Sequence, residues 1–300
     1  MAVGDVVLGS NQYGKAEVRL VRVTRDTPVH EIEDLTVTTQ LRGDFGACHT
    51  TGDNAQVVAT DTQKNTVYAF ARQHGVGSPE RFLLRLARHF VDGFEQVTGG
   101  RFAADVHAWD RIAVDGEPHD HAFVRTGRET RRTVVQVDGD DVHVVSGFTG
   151  ATVLKSTGSE FWGFPRDAYT TLPETKDRVL ATSVTAWWRW KDPDVDFESR
   201  YPVVRDLLLA TFAQVHSLAL QHTIFEMGRA VLEACDDVAE VRLSCPNKHH
   251  FLVDLEPFGL DNPNEVFHAA DRPYGLIEAD VRREGDAPVP HVWASVPGFV

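Results

Sequence analysis

Val153-Leu154-Lys155-Ser156-Thr157-Gly158-Ser159-Glu160-Phe161-Trp162-Gly163-Phe164, continued through Tyr169 and Leu172 to Asp177-Arg178, is the stretch that decides how the chain is read. It opens as a strand and leaves that strand at Ser156-Thr157-Gly158. It then carries Phe161, Trp162, Phe164 and Tyr169 through a long segment with neither a helical nor a strand period. A long aromatic-rich loop in a compact chain is usually a functional one. Phe161 offers a flat apolar face and Arg178 a rigid fork of donors, a pairing suited to a planar, anionic, heteroaromatic ligand. Taken alone, the stretch reads slightly better as loop aromatics filling a core, with Arg178 in a surface ion pair.

Two similar series of elements flank this loop. Residues 13–24 and the alternating Leu35, Val37, Thr39 and Leu41 predict a long hairpin. Val57-Val58-Ala59 predicts a short strand that passes into a helix at Thr60-Asp61, with the helix proper over 65–74. Ser78-Pro79-Glu80 starts a second helix, running to about Gln96 and stopped by Thr98-Gly99-Gly100. Strands are expected at 101–112 and 121–125, then a hairpin through Asp138-Gly139-Asp140. Beyond the loop come a strand at 179–190 and helices at 201–215 and 220–231. Strands at 238–245, 251–255, 265–268 and 275–281 complete the chain.

Strands, two helices, strands, and the same again predict an α+β chain of antiparallel sheets with paired helices on one face. The units divide as 1–138 and 139–300. Residue-level self-similarity is weak, so the duplication is structural. Open hairpin edges invite pairing between subunits.

The 300 residues carry a hydrophobic fraction of 42% and an aromatic fraction of 9%, enough for a real core. The net charge of -14 argues against a nucleic-acid footprint, which needs a basic face. No apolar run has the length of a membrane helix. Met1-Ala2-Val3-Gly4-Asp5 lacks the features of a secretory signal. Cys48, Cys235 and Cys245 form no metal or redox pattern and read as reduced cytosolic thiols.

Several residues could carry chemistry. Thr60-Asp61 lies where free helix amides favour an anion, although capping is the commoner use of such a pair. Lys15 could act as a base if desolvated, although most lysines are solvated. Asn247, Lys248, His249 and His250 sit in a link between strands, where they could orient water, relay a proton or simply form a polar turn. His119-Asp120-His121 could hold a metal, but a polar surface loop is the plainer reading. Gln221 could pair with an amide edge of a ligand, although surface glutamines on helices are far commoner.

Further motifs accompany the loop: Asn11-Gln12-Tyr13-Gly14-Lys15, Ala59-Thr60-Asp61, Lys64-Asn65-Thr66, Pro246-Asn247-Lys248-His249 and Tyr274-Gly275-Leu276-Ile277. Together and in this order they resemble urate oxidase (uricase), over nearly the whole chain. The resemblance implies the tunnelling fold: two tandem units whose sheets join those of other subunits in barrels, stacked as a homotetramer with active sites at subunit interfaces. It implies oxidation of urate by O2 to 5-hydroxyisourate and hydrogen peroxide, with no metal or organic cofactor.

By the same resemblance Phe161 stacks on the purine, and Arg178 and Gln221 hold one ring edge. Thr60 and Asp61 of a neighbouring subunit hold the other edge. Leu172, Leu220 and Ile277 supply apolar walls. Asn247 and Thr60 flank the O2 or water site, and Lys15, Thr60 and His249 form a proton relay. The ending Pro297-Gly298-Phe299-Val300 lacks the Ser-Lys-Leu of peroxisomal members, so a cytoplasmic, bacterial-type enzyme is expected. His250 departs from the family pattern, and the acidic stretch 114–118 reads as a surface loop. Two alternatives stand beside this reading. One is a zinc enzyme of the same fold using His119, His121 or His143, and the other is a purine-binding protein without catalysis.

Overall fold

Alternation along Glu31–Gly43 buries Leu35, Val37 and Leu41 on one side of a strand, and Thr39 lies buried among them. The polar Thr39 is tolerated because its hydroxyl donates to Gln63 Oε1 at 2.8 Å. The computed structural model describes residues 5–270 and 272–297. Residues 1–4 and 298–300, on which the expected location partly rests, lie outside these. The chain forms two compact units: 1–146 with 190–198, and 147–189 with 199–300.

The first unit contains β1 (Tyr13–Thr24), β2 (Glu31–Gly43), α1 (Gly46–Thr50), α2 (Thr60–His74), α3 (Pro79–Gly93), β3 (Val97–Val106), β4 (Trp109–Val114), β5 (Glu117–Arg125), β6 (Thr130–Asp138) and the start of β7 (Asp141–Lys155). Its main sheet runs β1-β2-β3-β6 and then β7, with β1 antiparallel to β2, β2 to β3 and β3 to β6. Ser78 Oγ accepts the Arg81 amide and Pro79 opens α3, as the cap motif predicts. Phe82, Leu83, Leu86 and Phe90 are then buried, each worth about 1.5–3 kcal/mol.

Three local expectations are corrected here. Val57-Val58-Ala59 is not a strand, because the Tyr13 hydroxyl donates to the Val58 carbonyl at 3.1 Å and accepts its amide at 2.8 Å. Both backbone groups of Val58 are thereby satisfied without a ladder. The helix begins at Thr60 rather than Asn65, pinned by Gln63, whose Nε2 donates to Val58 O at 3.2 Å. Gly99 and Gly100 lie inside β3 and do not stop α3, which ends at Gly93. They are glycines because a Cβ would meet the Val137 carbonyl oxygen at 2.4 Å or that of Gln40 at 2.6 Å. The acidic stretch 114–118 is, as expected, an exposed surface segment: it forms the turn of the β4–β5 hairpin, with Asp115 and Gly116 at positive φ.

The second unit holds the rest of β7, then β8 (Leu180–Trp190), α4 (Phe197–Gln214), α5 (Leu220–Ala234), β9 (Val238–Asn247), β10 (His250–Leu252), β11 (Phe267–Ala269), β12 (Gly275–Arg282) and α6 (Pro290–Trp293). Its strand order is β7-β8-β9-β12. α5 buries Leu220, Ile224, Met227 and Val231, and packs on β9 and β12. A Cβ at Gly228 would meet Val281 Cγ2 at 2.6 Å, so that glycine sets the approach of helix to sheet. β10 and β11 are shorter than expected. Past one further cross-strand bond, from Val253 N to Val266 O, Asn262 Nδ2 donates to the Val253 and Val266 carbonyls and its Oδ1 accepts the amides of Glu265 and Val266. Among the described residues no helix is long and apolar enough to cross a membrane.

Candidate active site

Residues 156–178 have no long regular element, yet two single bridges brace them. Ser159 pairs parallel with Ser217, and Phe161 antiparallel with Thr175. Phe161 and Thr175 exchange both backbone hydrogen bonds, at 2.8 and 2.9 Å. Ser159 accepts from Arg178 twice, its carbonyl from the amide at 2.9 Å and its hydroxyl from Nε at 3.3 Å. The guanidinium carbon of Arg178 therefore sits 5.3 Å from the Phe161 ring centroid. Phe164 stacks on the same ring, 4.9 Å away and 16° from parallel, and backs one of its faces.

Phe161 and Arg178 line a cavity of about 140 Å³ together with Leu172, Thr175, Asn247, His249, His250 and Phe251. Asn247 ends β9 opposite Gly275, and the Lys248 amide donates to Ala181 O at 2.8 Å, so the turn is held against β8. Burial and then the nearby Arg178 charge push the His249 imidazole below the ordinary histidine value, which favours its neutral form near pH 7. Burial also lowers the Arg178 guanidinium, which stays charged because its starting value is so high. His250 Nδ1 lies 3.1 Å from the Lys248 carbonyl and so carries its proton.

Leu220, Gln221 and Ile277 are not in this wall. Leu220 is buried and Gln221 exposed at the start of α5, while Ile277 is half-buried on β12 opposite Cys245. The start of α5 is nevertheless tied to the loop: Thr223 Oγ1 donates to Ser217 Oγ at 2.7 Å. Ser159, Thr175 and Ser217 escaped the sequence reading because isolated hydroxyls carry no period. The bridges that use them join distant positions, Ser159 with Ser217 and Phe161 with Thr175.

The first unit holds Lys15, Thr60 and Asp61. Lys15 pairs with Thr39 immediately before a bulge reaching to Val18, in which Glu17 takes a φ of 57°. Its neighbour Gly14 admits no side chain, since a Cβ would lie 1.8 Å from Thr39 O. Thr60 is the first residue of α2, and Ala59 before it supplies no side-chain cap. The first amides of the helix are therefore left for an outside acceptor. Asp61 is ion-paired to Lys64 and accepts from Asn65 at 3.0 Å. The Lys64 hydrogen bond, with a smaller pull from the Lys15 charge, holds its carboxyl below the usual range.

Among the described residues no three His, Cys, Asp or Glu side chains converge as a metal set requires. His119 and His121 instead meet ring edge to ring face at 4.5 Å, and His119 Nδ1 accepts the His121 amide.

A family model described as Uricase matches residues 11–136 and 144–278, which include Lys15, Thr60, Asp61, Phe161, Arg178, Asn247 and His249. The chain belongs to the uricase family. It is 63% identical to the uricase of Arthrobacter globiformis over 294 residues, covering 98% of this chain and 96% of that protein. It is 39% identical to the uricase of Emericella nidulans over 292 residues, covering 92% and 97%. The crystal structure of uricase from Arthrobacter globiformis superposes with a TM-score of 0.93 at 62% identity, covering 97% of this chain and all of that one. The α+β architecture of antiparallel sheet and packed helices is thus that of uricases.

Proposed function

We infer that this uricase-family chain catalyses the reaction of urate, O2 and water to give 5-hydroxyisourate and hydrogen peroxide. The observation that carries this is the convergence of Phe161, Arg178, Asn247 and His249 on one small cavity of the second unit. Phe161 stacks on the purine, while Arg178 and Gln221 hold one edge of the anion. Leu172 walls it within the cavity, Leu220 and Ile277 support it from beyond the cavity lining, and Asn247 borders the O2 or water site. The cavity is well below the roughly 300–1,000 Å³ of a complete small-molecule site. That supports completion by Lys15, Thr60 and Asp61 of a neighbouring subunit.

Urate that has lost a proton is electron-rich, so the substrate itself can reduce O2 without a metal or organic cofactor. The protein supplies position and proton transfer. A threonine hydroxyl is too weak an acid to act alone and needs an amine to take its proton. Lys15 takes that part, Thr60 relays, and the neutral His249 closes the chain to water or peroxide.

β1 and β12 each end their unit's strand order and expose Val21 and Leu276, which suits pairing between subunits in a barrelled homotetramer. Three free thiols suit a reducing, cytoplasmic setting.

The test follows urate absorbance, O2 uptake and peroxide release with chelator-treated protein, in equal stoichiometry. Absence of urate loss overturns the function. Activity restored only by stoichiometric zinc overturns the cofactor-free route. Sedimentation at working concentration reads the assembly.

A further inference from the structure

We infer that Glu160 is a positioning residue of the purine clamp, pinned by His216 so that Phe161 and Arg178 are set as one unit. The inference rests on the assignment of those two residues to substrate binding.

Glu160 stands between the residue that anchors Arg178 and the residue that stacks. Both its carboxylate oxygens are used: Oε1 lies 2.7 Å from His216 Nε2, and Oε2 accepts from Trp162 Nε1 at 2.6 Å. The side chain is 18% exposed although its neighbours Trp162 and Gly163 are open to solvent. It does not line the cavity. The hydrogen bonds from His216 and then Trp162 hold its carboxyl below the usual range, so it is an anion at neutral pH.

The backbone joint beneath this pin is short. Glu160 N donates to Ser217 O at 2.7 Å and Ser217 N to Gly158 O at 2.9 Å, and no ladder extends beyond that bridge. Each such bond contributes only about 1 kcal/mol net, so this pair resists only weakly a rotation of the braced 159–178 segment against Ser217. His216 precedes Ser217, and the side-chain contact spans the joint. Such a rotation would carry the Ser159 hydroxyl, with the Arg178 Nε that donates to it, and the Phe161 ring together, because the bonds of Phe161 to Thr175 and of Ser159 to Arg178 hold them as one piece. Loss of the pin therefore misaligns the clamp without opening the core.

The test is a double-mutant cycle with E160A, H216A and E160A/H216A, read by urate KM and kcat, thermal midpoint and the Kd of xanthine as a bound purine. E160A is expected to raise KM about tenfold, equivalent to about 1.4 kcal/mol, with kcat within about threefold and the thermal midpoint unchanged. Xanthine binding weakens by the same factor. The double variant is no worse than the poorer single, and E160Q, which keeps one acceptor, falls between wild type and E160A. A KM for E160A within about twofold of wild type overturns the pin. So do losses that multiply in the double variant. A wild type that does not consume urate overturns the function instead, and the xanthine arm of the cycle then still decides the pin.

Discussion

The guanidinium carbon of Arg178 stands 5.3 Å from the ring centroid of Phe161, and Ser159 accepts both the backbone amide and the Nε of that arginine. With Nε engaged by the protein, the two terminal nitrogens are left to reach the ligand as a fork. R178K keeps the charge but loses the fork. Hydrogen bonds to charged groups contribute about 1.5–3 kcal/mol, so urate KM should rise roughly 10- to 100-fold with a smaller change in kcat. Steady-state kinetics checks this, and an unchanged KM would show that Arg178 does not hold substrate.

Lys15 sits at the bulged end of β1, next to a glycine that cannot accept a side chain. Its assigned role is to take a proton, not to bind. K15M should leave urate affinity within a few-fold and lower kcat by about 10²–10⁴, the range for a lost general base. Equal losses in binding and rate would count against the role.

His249 is held below the ordinary histidine value of 6.5 by burial and then by Arg178. Its neutral form is therefore present above that value and disappears only as pH falls through the lowered one. The acid limb of kcat/KM governed by this group should lie below pH 6.5. An NMR titration of the imidazole, assigned with H249N, reads the same number directly. A midpoint at or above 6.5 would refute the shift. The linkage has the matching sign: the unfolded chain takes up the proton first, so acid favours unfolding at this residue.

Glu80 is fully buried at the start of α3 and accepts from Arg131 at 2.8 Å, Thr133 at 2.8 Å and Ser146 at 2.6 Å. Ser146 in turn accepts the Trp190 indole at 2.8 Å. Removing one member of a buried ion pair costs about 3–5 kcal/mol, because the other loses its counter-charge. E80A should lose that much stability in urea denaturation, and E80Q less. A loss under about 1 kcal/mol would mean that the network relaxes around the gap.

Local chemistry written in adjacent residues was legible directly. Ser78-Pro79-Glu80 opens α3, Leu35, Val37, Thr39 and Leu41 face one way along β2, and α5 keeps its apolar stripe. Each depends on spacing within a turn or a pleat, which the order of residues along the chain specifies. The start of α2 is not legible in its own residues, because Tyr13 and Gln63 fix it through the Val58 backbone. The site residues were named through several motifs taken together, since none is distinctive on its own.

The sequence by itself determined the α+β order, the helix faces and the family. Tertiary structure decided that Phe161, Arg178, Asn247 and His249 share one cavity, and that Ser159, Ser217 and Glu160 hold the loop that presents them. The reason is physical. Periodicity encodes what a residue buries within its own element, whereas a hydroxyl or carboxylate is satisfied by whatever partner folding brings within about 3 Å of it.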